Sequence, residues 1–396
     1  MPDIMHQIIL KPGKEEAVRR FHPWIFSGAI QRIQGKVADG DTVEVLSSKG
    51  EFLASGHFQE GGSISVRILS FDKAPLGPEF WEEKFRLAKS YRSTLGLLTD
   101  PQTNCYRLIH GEGDGLPGLI VDVYARTAVV QCHSIGMHRS IPLIVQALLA
   151  VCQGELDAVY DKSKETLPDR YAAGVGNSYL HGNSGPGWVL ENGHEFFIDW
   201  EKGQKTGFFL DQRENRKLLA QFAPGKTVLN AFCYSGAFSV YALRAGAALV
   251  HSVDASAKAL DWTRQNLLRN DFDPGVHTPV EADVLKYLKE ASDYDLVIID
   301  PPAFAKNISR RHSAVQGYKR LNAAALLKVK PGGLLFTFSC SQVVDRQLFY
   351  DTVVAAAIEA GRKVRVAFQL SQAPDHPVNL FHPESSYLKG LVLEVV

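Results

Sequence analysis

The chain has 396 residues, of which 45% are hydrophobic and 22% charged, and 43 basic side chains balance 43 acidic ones. This length and composition are typical of a globular protein with two or three domains, and the apolar runs are too short to span a bilayer. Zero net charge gives no overall attraction for nucleic acid, so such binding must come from local basic patches. At the N-terminus the basic and apolar regions of a secretory signal are missing, which predicts a cytoplasmic protein.

The first 75 residues alternate short apolar runs with Gly and Asp turns, which predicts a small all-β module. Its predicted strands are Gln7–Leu10, Thr42–Leu46, Glu51–Ser55 and Ser63–Leu69. Residues 76–185 combine helical patterns over 79–96 and 140–152 with strands at Arg107–His110, Leu119–Val123 and Ala128–Cys132. They are expected to form a central α+β domain that ends near the glycine-rich stretch 181–187.

From about residue 186 onward, strand and helix patterns alternate. Buried strands are predicted at Thr227–Ala231, Leu249–Val253, His277–Glu281, Leu296–Ile299, Leu334–Phe338 and Val364–Phe368, with helices over 256–270 and 312–330. Such alternation predicts an α/β fold with a Rossmann-like, mostly parallel sheet. Because the chain ends in two strands, 364–370 and 388–395, the seven-stranded class I methyltransferase variant is favoured, in which an antiparallel last strand enters the sheet.

The first of these strands leads into a turn with a single glycine. A dinucleotide pyrophosphate needs a closer approach of bare backbone than this turn offers, whereas a nucleoside without phosphates, such as S-adenosylmethionine, can pack there. The predicted cofactor contacts in the turn are Asn230, Phe232, Tyr234, Ser235 and Gly236. Taken alone, the turn also fits an ordinary connection between strand and helix.

Aspartates follow three successive strands at Asp254, Asp283 and Asp300. Asp254 comes about 20 residues after the turn, where an acid commonly accepts ribose hydroxyls, and Asp283 can reach the adenine edge. A single aspartate here is more often a helix N-cap, but three in register favour a cofactor site. Upstream, Phe209 and Asp211 are predicted to cover the cofactor, with a hydrophobic staple as the alternative role of the aromatics.

The motif Asp300-Pro301-Pro302 points to a planar nitrogenous substrate. Two prolines stiffen the exit from the strand and remove two N–H donors, so the Asp side chain can face a substrate. Similar motifs occur in enzymes that methylate amino groups of bases, although Phe304 stands one residue later than their aromatic residue. Asp300 is therefore predicted to hydrogen-bond the amino group or ring nitrogen of a base.

Cys340 follows the next strand between two serines. A thiolate that adds to carbon 6 of cytosine activates carbon 5 for methylation, and it needs a partly exposed, electropositive setting. The alternative is a buried structural cysteine, which is the usual fate of this residue. Its position at a strand end favours the role of nucleophile. Asp375 and His376 are candidates for removing the carbon 5 proton, or they cap a loop.

The segment 301–344 contains seven basic side chains and no acidic one. Exposed helices normally intersperse both signs, so this bias favours contacts to RNA phosphates over an ordinary solvated face. The predicted RNA-binding residues are Lys306, Arg310, Arg311, Lys319, Arg320 and, upstream, Arg213. The five cysteines are scattered and include no C-x-x-C pair, so neither a disulfide framework nor a metal site is expected.

Taken in order, these motifs resemble those of bacterial ribosomal RNA large-subunit cytosine-5 methyltransferases that carry an N-terminal PUA domain. The matching stretches are residues 22–29, 113–118, 206–213, 230–238, 300–302, 317–319, 339–341 and 375–377. The resemblance implies a PUA domain over 1–75, a central domain over 76–185 and a class I methyltransferase domain over 186–396. It also implies Cys340 as the nucleophile and 23S ribosomal RNA, free or in an assembly particle, as the substrate.

Two other functions stay open at this point. The first is an amino-group methyltransferase that acts on adenine N6 or guanine N2 through Asp300-Pro301-Pro302, with Cys340 merely structural. The second is a non-catalytic RNA-binding protein that keeps the fold as a relic. The sequence does not fix the oligomeric state, and a homodimer is one option.

Overall fold

The computed structural model describes residues 6–305 and 307–396, which form two compact units. The first unit contains residues 6–189, 198–208 and 374–385, and the second contains 190–197, 209–373 and 386–396. The predicted division into domains at residues 75 and 185 stays a prediction. Among the described residues, no helix has the length and apolar character needed to cross a membrane.

The first unit begins with a six-stranded sheet. Its elements are β1 (Gln7–Leu10), α1 (Glu16–Arg19), β2 (Trp24–Phe26), β3 (Ile30–Gln34), β4 (Thr42–Leu46), β5 (Phe52–Phe58) and β6 (Ile64–Ser70). The strand order is β2-β6-β5-β4-β1-β3, with β1 and β4 parallel and the other neighbours antiparallel. The sequence reasoning missed β2 and β3, because β2 has only three residues and β3 is mostly exposed, so neither shows a buried alternating pattern.

A five-stranded sheet with helices follows in the same unit. Its elements are α2 (Pro78–Thr94), β7 (Cys105–His110), β8 (Leu119–Tyr124), β9 (Thr127–Cys132), α3 (Ile135–Arg139), α4 (Ile141–Val151), β10 (Ala158–Asp161), α5 (Asp169–Ala172) and β11 (Ser178–His181). Helix α2 buries Trp81, Phe85 and Ala88, one face at helical spacing, against a core that α4 completes with Ile144 and Leu148. The predicted mixture of helix and strand is observed here.

After a hairpin of β12 (Gly187–Glu191) and β13 (His194–Ile198), the chain builds a seven-stranded sheet. Its elements are α6 (Arg213–Ala220), β14 (Thr227–Ala231), α7 (Ala237–Arg244), β15 (Leu249–Asp254), α8 (Ala257–Arg269), β16 (His277–Glu281), α9 (Val284–Glu290), β17 (Tyr294–Ile299), α10 (Arg311–Leu326), β18 (Val329–Ser339), α11 (Arg346–Glu359), β19 (Val364–Leu370) and β20 (Lys389–Val395). The order is β16-β15-β14-β17-β18-β20-β19, with β20 antiparallel to both of its neighbours. The predicted fold class, including the antiparallel last strand, is confirmed.

One predicted boundary is wrong. The helix expected to continue to residue 330 ends at Leu326, and β18 begins at Val329. Val329 pairs with Tyr294, and the next pair is Leu334 with Leu296. Between these two pairs β18 advances by five residues while β17 advances by two, which is a bulge in β18. Gly332 at φ +75° lies inside this bulge. The bulge hides the early start of the strand, because Pro and Gly normally signal a turn.

Parallel pairing fixes where the candidate residues emerge. Ala231 at the end of β14 pairs with Val253 on β15 and with Ile299 on β17, and Ile299 pairs with Thr337 on β18. The carboxyl ends of these four strands therefore share one edge of the sheet. Asp300 and Cys340, one residue beyond β17 and β18, belong to that edge.

A buried ion pair anchors β12 to α6 in the second unit. The Arg216 guanidinium donates from Nε and Nη2 to the Glu191 carboxylate at 2.7–2.9 Å, and Tyr241 Oη donates to the same carboxylate at 2.9 Å. A second guanidinium, that of Arg213, lies 3.4 Å from Glu191 and is almost fully buried. One carboxylate thus balances two buried cations.

Removing that charge is expected to destabilise the second unit strongly. Glu191→Gln removes the carboxylate that both buried guanidiniums contact, which should cost about 3–5 kcal/mol of unfolding free energy. Urea denaturation followed by fluorescence measures the loss. The matched control is Glu394→Gln, which breaks the exposed pair with Arg365 and should leave the midpoint almost unchanged. Equal midpoints for the two variants would contradict this account of Glu191.

Candidate functional site

The turn after β14 has an unusual backbone. Phe232 and Tyr234 have φ angles of +60° and +47°, and Gly236 has +75°. Residues other than glycine rarely adopt positive φ angles, so contacts with neighbouring residues must stabilise this turn. Tyr234 N–H donates to Asp254 Oδ2 at 3.0 Å, and Thr263 Oγ1 donates to Tyr234 O at 2.9 Å. Asp254 and Thr263 therefore shape the turn.

Asp254 and Asp283 both have backbone partners. The second oxygen of Asp254 accepts from Ser256 N–H at 2.9 Å, and the side chain remains half-exposed. Each carboxylate oxygen can accept two hydrogen bonds, so Asp254 can also accept one from a hydroxyl group of a ligand. Asp283 is exposed and caps α9 by accepting from Lys286 N–H at 2.9 Å. Asp283 can therefore cap α9 and still contact a ligand.

Two of the predicted cofactor residues face the interior instead. Asn230 is buried and donates from Nδ2 to Ser239 Oγ at 2.8 Å. Ser235 is also buried, and its carbonyl accepts from Asn266 Nδ2 at 2.8 Å. Both residues stabilise the turn from within the unit. A ligand would meet the half-exposed aromatic rings of Phe232 and Tyr234 rather than these side chains.

The segment before α6 brings Phe209 and Asp211 to this region. The Phe209 ring packs edge-on against Tyr234, with centroids 5.2 Å apart. Asp211 is nearly buried, and its Oδ2 accepts from Tyr387 Oη at 2.6 Å. Phe209 therefore lies against the turn, and Asp211 supports the loop that leads into β20. Their predicted role in covering the cofactor stays a prediction.

Asp300 is held by a short chain of amides. Gln212 Nε2 donates to Asp300 Oδ2 at 2.9 Å, and Asn215 Nδ2 donates to Gln212 Oε1 at 2.6 Å. Asn215 also donates to Ser371 O at 3.2 Å. Gln212 was not predicted as a site residue, although it lies inside the motif stretch 206–213. This network orients the Asp300 carboxylate.

Cys340 is half-exposed, whereas the other four cysteines are buried. The following residue is fixed on both sides, because Ser341 Oγ donates to Ala305 O at 2.7 Å and Lys389 Nζ donates to Ser341 O at 2.6 Å. Burial lowers the pKa of Lys389 to about 8, and the charge of Cys340 opposes that shift. By the same interaction, the Lys389 ammonium stabilises negative charge on the sulfur. No motif in the sequence pointed to Lys389.

Tyr318 connects the surroundings of Cys340 and Asp300. Its ring is fully buried and lies 4.6 Å from that of Phe304. Burial raises the pKa of Tyr318 to about 12, and the charges of Cys340 and Asp300 act in the same direction. Tyr318, as a neutral phenol, therefore lies close enough to Cys340 and Asp300 to interact with the charge of each. Tyr318 lies in the motif stretch 317–319, but no sequence pattern indicated its role at this site.

The predicted RNA-binding residues divide into two groups. Arg310, Arg311 and Arg320 are exposed on or just before α10. Lys319 instead pairs with Glu359 at 2.6 Å, and Arg213 is buried against Glu191. The phosphate contacts expected of Lys319 and Arg213 do not fit these placements, since acids from other elements balance both charges. Lys306 lies outside the described residues.

Asp375 and His376, considered as proton acceptors, belong to the first unit. Asp375 Oδ2 accepts from Arg107 N–H at 3.0 Å, and Arg92 Nη2 donates to the Asp375 carbonyl at 2.7 Å. The His376 ring is buried, with Nδ1 2.9 Å from Asp375 Oδ1. Both side chains therefore fasten their loop within that unit.

The donor set at the turn fits an adenosine-type cofactor. Half-exposed aromatic rings at Phe232 and Tyr234 offer an apolar surface, and Asp254 offers acceptor positions for hydroxyls. Residues 230–238 carry no Lys or Arg that could neutralise a pyrophosphate. These features suit a nucleoside without phosphates better than a dinucleotide.

Comparisons with known proteins agree with this geometry. Residues 8–71 match the model of the PUA-like domain family, and residues 107–379 match that of the S-adenosylmethionine-dependent methyltransferase family. The chain is 39% identical to ribosomal RNA large subunit methyltransferase I of Shewanella amazonensis, over 98% of this chain and 99% of that protein. It is 40% identical to the protein of the same name from Aeromonas hydrophila, over 98% of each.

Solved structures support the same fold. A Streptococcus mutans protein assigned as a SAM-dependent methyltransferase superimposes with a TM-score of 0.85 at 24% identity, covering 98% of this chain and all of that one. A methyltransferase crystallised with SAH gives a TM-score of 0.86, also at 24% identity, with coverage of 98% and 100%. The predicted PUA-like and class I methyltransferase folds are confirmed. The match to the S-adenosylmethionine-dependent family over residues 107–379 also confirms the predicted cofactor, S-adenosylmethionine.

The interaction between Lys389 and Cys340 predicts a pH-dependent thiol. Below pH 8 the Lys389 ammonium should favour the thiolate, so Lys389→Met should slow alkylation of Cys340 by iodoacetamide at pH 7 about 3- to 10-fold. Because Lys389 loses its proton above pH 8, the difference should shrink towards pH 9. Peptide mass spectrometry measures the rates, with the exposed Lys363→Met as the control. Equal rates at pH 7 would exclude this role.

Proposed function

Since the chain belongs to the S-adenosylmethionine-dependent ribosomal RNA large subunit methyltransferase I family, we propose that it methylates carbon 5 of a cytosine in 23S ribosomal RNA through a covalent bond to Cys340. The observation that carries this proposal is the placement of Cys340. It is the half-exposed cysteine of the chain, and it directly follows β18, the neighbour of the strand β17 that precedes Asp300.

The thiol supplies the activation that carbon 5 needs. The Cys340 thiolate adds to carbon 6 of the cytosine, and the electron pair of the 5,6 double bond becomes available at carbon 5. The bound S-adenosylmethionine supplies a methyl group on a positively charged sulfur, which that carbon can accept. A base then takes the carbon 5 proton and passes it to solvent, the electron pair of that C–H bond restores the 5,6 double bond, and the sulfur leaves carbon 6 as the thiolate. Lys389 is placed to stabilise the thiolate at both ends of this cycle.

Asp300 positions and polarises the base. Its carboxylate, as an acceptor of several hydrogen bonds, can accept one from the cytosine amino group or from a protonated ring N3, which draws electrons from carbon 6 and assists the attack. Gln212 and Asn215 keep the carboxylate in place, because each is buried and hydrogen-bonded. The two prolines after Asp300 provide a stiff backbone without N–H groups that would compete for the carboxylate.

Binding of cofactor and RNA is assigned to other residues. Phe232, Tyr234 and Asp254 would hold the cofactor, with the adenine edge near Asp283 and Phe209 against the turn. Asn230, Ser235, Gly236 and Asp211 keep these groups in position. Arg310, Arg311 and Arg320 would contact RNA phosphates, which positions the substrate without reading its sequence. The PUA-like domain adds a second RNA-binding surface to the proposal.

A covalent trap distinguishes this reaction from amino-group methylation. In RNA that contains 5-fluorocytosine, fluorine cannot leave carbon 5 as a cation, so the enzyme should remain bonded to the methylated base. We expect a protein–RNA adduct on denaturing gels that requires S-adenosylmethionine and disappears in Cys340→Ala. Cys152→Ala, which alters a buried cysteine of the first unit, is the matched control and should retain the adduct.

Two results would contradict the proposal. Methylation of ordinary RNA by Cys340→Ala at the wild-type rate would favour an amino-group methyltransferase that uses Asp300-Pro301-Pro302. Calorimetry that shows RNA binding but no binding of S-adenosylmethionine would favour a non-catalytic RNA-binding protein.

A further inference from the structure

A cluster of metal-ligand side chains lies in the first unit, apart from the residues assigned to methylation. One ligand atom from each of His22, His382 and Glu384 lies within 4.8 Å of the others. His22 comes just before β2, whereas His382 and Glu384 belong to the segment 374–385 near the end of the chain. The fold, not a local motif, brings the three together.

The His382 ring is buried without the usual partners. Only 2% of the His382 side chain is exposed, and neither ring nitrogen hydrogen-bonds with any described residue. A buried polar nitrogen with no partner destabilises the folded state, so such groups are rare in folded proteins. Nε2 points towards Glu384, whose Oε2 lies 3.7 Å away. The ring also packs edge-on against Trp24, with centroids 4.1 Å apart.

His22 has the hydrogen bond that orients a metal ligand. Its Nδ1 accepts a hydrogen bond from Trp24 N–H at 3.2 Å in one tautomer and donates to Trp24 O at 3.1 Å in the other. When Nδ1–H donates to the carbonyl, Nε2 carries the lone pair, which is the common arrangement for a histidine bound to a metal. Trp24 itself is fixed, since its Nε1 donates to Glu112 Oε1 at 2.9 Å.

We propose that His22, His382 and Glu384 bind one divalent transition metal ion, with zinc the best fit. Two imidazoles and one carboxylate are a common donor set for zinc, with water as the fourth ligand. At bond lengths of about 2.0–2.1 Å, tetrahedral ligand atoms lie about 3.4 Å apart. The His382–Glu384 pair at 3.7 Å is already close to this separation, and a pair at the 4.8 Å limit would have to approach by about 1.4 Å. Glu384 can move, because its side chain is 58% exposed.

The bound ion would have a structural role. It would fasten residues 374–385 to the six-stranded sheet of the same unit, beside the packing of Phe21 against Phe381 at 5.3 Å. This inference is independent of the proposed methylation. It also revises the expectation of no metal, which rested on cysteine spacing and could not detect ligands separated by 360 residues.

Zinc binding by the full-length chain tests the proposal. After treatment with EDTA and gel filtration, the protein is titrated with Zn²⁺ against a chromophoric chelator. We expect one ion per chain at a dissociation constant of about 1 μM or tighter, and a rise in the thermal midpoint on binding. Co²⁺ should give the visible absorption bands of a tetrahedral site.

Variants separate this site from other surface histidines. His382→Ala and Glu384→Gln should weaken zinc binding by about 100-fold and 10-fold, respectively, and should remove or shift the Co²⁺ bands. Since the side chain of Glu384 is exposed, Glu384→Gln tests the site even if His382→Ala misfolds. His181→Ala, at an exposed histidine of the same unit, is the control and should bind zinc normally. Unchanged affinity in Glu384→Gln, or a wild-type dissociation constant above about 10 μM, would overturn the proposal.

Discussion

Parallel pairing of β14, β17 and β18 is the constraint on which the active-site geometry depends. The three strands are packed through side chains with no solvent exposure, among them Leu229, Ile298 and Phe336. Since a shift of one residue would move every side chain to the opposite face, this buried packing fixes the register. The register in turn brings Asp300 and Cys340 to the same edge of the sheet. Strand pairing and buried packing thus bring a carboxylate and a thiol, 40 residues apart in the sequence, to neighbouring strand ends.

Around this edge, residues from other elements define the chemistry. The amides of Gln212 and Asn215 orient Asp300, and Asp254 holds the left-handed turn beside it. The antiparallel β20 has a particular role, because it enters between β18 and β19 and delivers Lys389 to the carbonyl next to the thiol. The feature that distinguishes this sheet from a plain doubly wound one therefore also supplies the charge beside the proposed nucleophile.

Sequence patterns predicted the parts of the molecule that depend on local order. Alternation of strand and helix predicted the sheet, and strand-end residues identified Asp254, Asp300 and Cys340. What the patterns could not predict depends on distant partners: Gln212 and Lys389 reach the site across the fold, and Glu359 and Glu191 neutralise Lys319 and Arg213. The proposed zinc ligands His22, His382 and Glu384 could not be predicted either, because they are far apart in the sequence. The early start of β18 was missed because Pro331-Gly332-Gly333 has the composition of a turn but forms a bulge.

The account rests on chemistry at carbon 5 of cytosine, and the fate of the hydrogen on that carbon tests it most directly. A fragment of large-subunit ribosomal RNA with tritium at carbon 5 of its cytosines can be incubated with the enzyme and S-adenosylmethionine. The account predicts that one tritium is released to water for each methyl group added. Methyl addition with all tritium retained on the base would contradict it, since an exocyclic amino group or another atom would then be the acceptor.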